Sequence, residues 1–114
     1  MDNKIELLKT TSEYILNLKY SIEQIIEYLQ NDKEAKGLSL IGDVANNLSL
    51  LFEAIDSTKD YQKQEISIEE LNEKLNEIVE AMENGDTILI GDLFQYELLP
   101  ILDNIQEIIK KSIK

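Results

Sequence analysis

The chain has 114 residues, 23 acidic and 11 basic, and a net charge of −12 at neutral pH. All the basic residues are Lys; Arg, His, Cys and Trp are absent. This composition excludes disulfide frameworks, zinc sites and Cys–His or Ser–His nucleophilic relays, and its charge repels phosphate backbones and anionic lipid, so neither nucleic acid nor membrane is an expected partner.

The length fits one helical domain over residues 1–114. Met1-Asp2-Asn3-Lys4-Ile5-Glu6 lacks the basic region and apolar run of a signal peptide. No apolar run approaches the ~18 residues that span a bilayer. The expectation is a soluble, cytoplasmic protein, and the absence of Cys suits a reducing compartment.

Asn3 and Glu6 have the spacing of a capping box. Ile5, Leu8, Ile15, Leu18, Ile22, Ile25, Ile26 and Leu29 then recur at intervals of three and four, with a gap at Thr11-Ser12, and predict an amphipathic helix over 3–31. A second helix, carrying Leu40, Ile41, Val44, Leu48, Leu51, Phe52 and Ile55, is expected from about Ser39 to about Lys63. Glu34-Ala35-Lys36 could extend either neighbour. Gly42, Asn46 and Asn47 are poor helix formers, so packing must hold this helix.

Ser67-Ile68-Glu69-Glu70 reads as a second capping box. The helix after it places Ile68, Leu71, Leu75, Ile78, Val79 and Met82 inward and six Glu outward. Asn84-Gly85 stops it, with Gly85 suited to a left-handed position. Asp86 or Thr87 caps a fourth helix over 87–112. Pro100 lies inside that helix, offers no N–H to the Tyr96 carbonyl, and predicts a kink. Lys110, Lys111 and Lys114 gather at its negative end.

Leu40-Ile41-Gly42-Asp43 recurs as Leu89-Ile90-Gly91-Asp92, and Ile25–Asn31 is echoed by Ile78–Asn84. This pattern predicts an all-α, antiparallel four-helix bundle made of two duplicated hairpins. Gly42 and Gly91 would then let the second and fourth helices approach closely. Asp43 and Asp92 would be first-turn carboxylates favoured by the helix dipole.

Few residues suggest chemistry. A calcium loop fits Asp32-x-Glu34-x-Lys36-Gly37 poorly, because Lys36 stands where an oxygen ligand belongs. Glu53/Asp56, Glu70/Glu73 and Glu80/Glu83 each put two acids on one helical face. Acids so paired can hold magnesium in helical nucleotide pyrophosphatases. An alternative reading is therefore a magnesium-dependent nucleotide hydrolase using Glu70, Glu73, Glu80 and Glu83. Another is an acidic inhibitor of a nucleic-acid-binding protein. The leading expectation has no catalytic residue, no cofactor and no metal.

The span from Ile88 to Leu102 has only Asp92 and Glu97 as charged residues. A helix apolar nearly all round is enclosed or shared with another chain. Phe94, Tyr96 and Leu98, beside Asp92 and Glu97, have the composition of a protein interface. The function expected is a non-enzymatic protein-binding bundle, an adaptor or export-chaperone-like module. Its partner would be a basic protein or a second copy in a homodimer.

Asn84-Gly85-Asp86, Leu89-Ile90-Gly91-Asp92-Leu93 and Tyr96-Glu97-Leu98-Leu99-Pro100 together resemble a run in small, uncharacterised helical proteins of Gram-positive bacteria. The resemblance brings no activity and no catalytic residues. In size, acidity and helical architecture the chain is also similar to flagellar and secretion export chaperones, a likeness of fold alone.

Overall fold

Each run of apolar residues at intervals of three and four becomes a helix in the computed structural model, which describes residues 3–113. The order is α1 (Asn3–Gln30), α2 (Glu34–Ser57), a short 3-10 turn (Lys59–Tyr61), α3 (Ile68–Glu83), α4 (Thr87–Asp92), a π-helical stretch (Leu93–Leu98) and α5 (Leu99–Ile113). The junction residues Leu93 and Leu99 keep right-handed helical angles, so the last three pieces form one continuous rod. The fold is all-helical, with four helices and no strand among the described residues. This is compatible with a four-helix bundle.

The boundaries follow local chemistry. Asp32 adopts φ 59°, a left-handed conformation that Asp tolerates better than most residues. The turn is therefore tight, and Glu34-Ala35-Lys36 open α2 ahead of the expected Ser39. The same helix stops at Ser57, short of Lys63. There Thr58 Oγ1 donates to the Ala54 carbonyl at 2.8 Å, and the Gln62 amide donates to the Ile55 carbonyl at 2.8 Å. These side chains add second donors to carbonyls of the last turn that otherwise share the Thr58 N–H.

α3 ends on a Schellman motif: Gly85 has φ 66°, its N–H donates to the Met82 carbonyl, and the Asp86 N–H donates to the Ala81 carbonyl. Asp86 then caps α4, accepting the Leu89 N–H at 3.1 Å. The two expected capping boxes fare differently. Ser67 holds the N-cap position of α3, but its side chain makes no capping bond. Asn3 is already helical, so a cap for α1 falls outside the described residues, as does Lys114.

α1 is the central helix. It packs along α2 on one side and along the rod on the other, while α3 packs on α4 and the π stretch. Leu8, Thr11, Ile15, Leu18, Ile22 and Ile25 are buried on α1, and Ile41, Val44, Leu48, Leu51 and Ile55 on α2. Both stripes alternate steps of three and four, the spacing of a coiled-coil seam. The apparent gap at Thr11-Ser12 belongs to this core. Thr11 Oγ1 donates to the Leu7 carbonyl at 2.7 Å, and the buried Gln106 amide donates to the Ser12 carbonyl at 3.1 Å.

Pro100 has a more specific consequence than a kink. The turn before it widens, and the Leu99 N–H donates to the Phe94 carbonyl five residues back. The widened turn accommodates a residue that has no N–H and crowds the preceding turn. It also rephases the core stripe. Ile90 and Leu102 are both fully buried. In an unbroken α-helix the twelve-residue step between them would leave about 120° between their side chains. One extra residue absorbed by a π turn cuts the mismatch to about 20°.

The glycine expectation is corrected. A Cβ on Gly42 would meet open space, and one on Gly91 would meet only Leu29 of α1, at 3.9 Å. Neither brings α2 against the rod. The close approach is at Gly37, where a Cβ would lie 3.1 Å from the Leu29 side chain.

By length and composition α2 could cross a membrane, contrary to the reading of the sequence. Between Gly37 and Phe52 its one charged residue is Asp43. Its most apolar stripe is turned into the protein against α1.

Candidate functional site

The five residues expected to bind a partner separate into two groups. Phe94 and Leu98 are 0% exposed and belong to the core, which corrects their assignment to a surface. Asp92, Tyr96 and Glu97 lie outside, with Tyr96 66% exposed. The π turn explains the division. A stripe that shifts phase midway looks apolar all round when drawn on an ideal α-helix, yet it occupies one face of the real rod.

Tyr96 and Glu97 line a cleft of about 310 Å³ between the rod and the start of α3. Pro100, Ile101, Asn104, Ile105 and Ile108 complete the rod wall, and Gln64 to Ser67 with Glu70 form the other. The cleft holds three carboxylates, Glu65, Glu70 and Glu97, and no lysine lines it. Such a lining offers hydrogen-bond acceptors, so it suits a ligand that brings N–H donors.

Glu97 already has a partner at the cleft edge. Lys74 of α3 lies 4.0 Å from Glu97 and 3.0 Å from Glu77 Oε2. Glu77 Oε2 is shielded from solvent and meets the Lys74 ammonium as a charge pair rather than through a well-directed hydrogen bond. Together with the neighbouring carboxylates, contact with Glu77 holds the Lys74 ammonium above its ordinary pKa, against a smaller desolvation effect. Lys74 thereby ties α3 to the rod.

The acids named for magnesium do not converge. Among the described residues no three acidic side chains gather where they could hold a metal ion. Glu70 faces the cleft beside Tyr96, whereas Glu80 lies by Leu89 and Leu93 toward the other end of α3. The poorly fitting calcium turn is likewise no cluster among the described residues, and Glu34 and Lys36 open α2 instead of forming a loop.

Apolar side chains that no single motif announced are also left outside. Ile88 is 78% exposed, Leu89 43%, Val79 42% and Met82 36%. Val79 and Met82, expected to face inward, are corrected to the surface; Val79 lies about 100° around the helix from buried Ile78. Ile88 was not legible as surface, because its exposure depends on which face of α4 meets α1.

A family described as "Domain of unknown function (DUF8042)" matches residues 6–108. The chain belongs to this family. A relative from Treponema pallidum (strain Nichols), described as "Uncharacterized protein", is 33% identical over 70 residues, which is 61% of this chain. The chain spans 30% of that protein's length. No solved structure matches the chain. The DUF8042 match runs from the first turn of α1 into α5, so it takes in all four helices, the cleft at Tyr96 and the exposed side chains of α3 and α4.

Proposed function

We propose that this DUF8042 domain is a non-enzymatic, protein-binding helical bundle, adaptor or chaperone-like in its mode of action, that works in the cytoplasm on a cationic partner. The observation that carries the reading is the combination of exposed Ile88, Tyr96 and Val79 with a net charge of −12. Large apolar groups set in an acidic surface suit a partner that brings both apolar contacts and positive charge. The architecture under this reading is an antiparallel bundle of two hairpins. Ser12 meets Gln106, Lys19 meets Asp103 and Gln30 meets Gln95, which supports α1 and the rod running in opposite directions.

The test uses surface substitutions that spare the core. Tyr96→Ser and Ile88→Ser are expected to leave the melting temperature close to that of the parent chain and to weaken capture of a purified basic partner. That binding is expected to weaken steeply with added salt. Binding that ignores salt and both substitutions would overturn the reading. Heat or turnover on adding magnesium and nucleoside triphosphates would overturn its non-enzymatic part.

A further inference from the structure

α2 and α3 are both outer helices. α2 lies along α1, α3 lies along the rod, and the two barely touch. On α3, Lys74, Glu77 and Ala81 turn toward the rod, where Lys74 meets Glu97 and the other two flank Leu89 and Leu93. At about 100° per residue, Ile68, Leu75, Val79 and Met82 fall on the opposite side of the buried Leu71–Ile78 line. Ile68 and Leu75 are half-buried, and Val79 and Met82 are exposed.

α2 has a matching side. Asn47 turns toward α1, where it accepts the Tyr14 hydroxyl at 2.7 Å. Leu38, Ala45 and Phe52 fall on the opposite side of the buried stripe and stay half-buried. The two sides meet at one end, where Ile55 and Asp56 border a hollow of about 570 Å³ with Ile66, Ile68 and Glu69. Farther along, Gly42 leaves open space where a side chain would stand. An apolar seam therefore runs between α2 and α3 without a helix to fill it.

The charge on its rims selects the occupant. Asp56 and Glu69 line the hollow, and at about 100° per residue Glu53 falls on the same side of α2 as Phe52 and Glu83 on the same side of α3 as Val79. Asp56 lies 3.7 Å from Lys59; among the described residues the other three are in no ion pair. A second copy of this chain would bring the same acids to the same place, and like charges would oppose it. A helix with one apolar face flanked by Lys or Arg meets both demands. From Ile68 to Met82 the α3 wall is about 21 Å long, room for about four helical turns.

We propose that the α2–α3 seam receives a cationic amphipathic helix of the partner protein. This rests on the protein-binding reading above and adds the place and the class of ligand. The partner helix lays leucines or isoleucines at i, i+3 or i+4, and i+7 against Phe52, Leu75 and Val79. Its cationic flanks reach Glu53, Glu69 and Glu83.

The probe is a synthetic Leu/Lys amphipathic helical peptide, followed by fluorescence anisotropy against the full chain. Circular dichroism checks the fold of every variant. Val79→Lys with Met82→Lys is expected to weaken binding about tenfold or more, whereas Tyr20→Lys, exposed beside Asn47 on the far side of α2, is expected to change it less than about twofold. Glu69→Gln with Glu83→Gln, which alters charge and little else, is expected to lower affinity at low salt and to flatten the salt dependence. Peptide binding that survives the seam variants and is lost with Tyr96→Lys would overturn the seam and leave the protein-binding reading standing. No binding of the peptide to the parent chain would overturn both. A dimeric mass that the peptide does not disrupt, and that Val79→Lys with Met82→Lys abolishes, would overturn the choice of occupant in favour of a second copy.

Discussion

The first two helices and the last rod bury similar side chains by different means. Along α1 and α2 the buried residues keep steps of three and four, and an unbroken α-helix holds them on one seam. In the rod, Ile90, Phe94, Leu98 and Leu102 follow one another by steps of four, and the π stretch brings them to one face. The contrast teaches that a stretch apolar on every side of an idealised helix need not be a surface in search of a partner. It can be a core stripe whose backbone phase changes.

The sharpest way to break this comparison is to delete one residue from each region. Deleting Ala45 rotates Ile41 and Val44 by about 100° relative to Leu48 and Leu51, and should unfold the protein or cost upwards of about 4 kcal/mol. Deleting Gln95 together with Pro100→Ala converts the π stretch to ordinary α-helix with its stripe still in phase. That variant should keep its helical circular dichroism and melt cooperatively. If both deletions were equally damaging, the rephasing account would fail.

Truncation within the rod sharpens the division between core and surface. Phe94→Ala should cost about 3–5 kcal/mol in urea denaturation, because the side chain is 0% exposed. Tyr96→Ala, two positions on, should stay within about 0.5 kcal/mol. Equal costs would mean that the face of the rod has been misassigned.

The polar contact between the two regions should have an intermediate effect. Gln106 is 4% exposed, donates to the Ser12 carbonyl and accepts from Lys19 Nζ at 3.2 Å. Gln106→Ala leaves those partners without it and should cost about 1–3 kcal/mol. A neutral result would show that water replaces the amide.

Glycines give the smallest effects, and their signs differ. Gly42→Ala fills open space in a helix interior and should stabilise by about 0.5–1 kcal/mol. Gly37→Ala gains the same propensity but pushes a methyl to 3.1 Å from Leu29, so its melting temperature should fall below that of Gly42→Ala. The reverse order would show that Leu29 yields freely.

By itself the sequence determined the helices and most of their inward faces. Apolar spacing, the Asn84-Gly85 stop and the Asp86 cap are local signals, and each acts through the backbone of a few neighbouring residues. It also restricted the chemistry, since a chain without His or Cys lacks the usual zinc ligands and nucleophilic relays. Of the candidate site, Tyr96, Asp92 and Glu97 were legible as surface. Phe94 and Leu98 were not legible as core, because the helical phase through residues 93–98 depends on where Ile90 and Leu102 must both point. The tertiary structure alone decided that phase, the burial of Thr11, Ser12 and Gln106, and the separation of α2 from α3. Each of these follows from which helix lies against which, and no run of neighbouring residues encodes that.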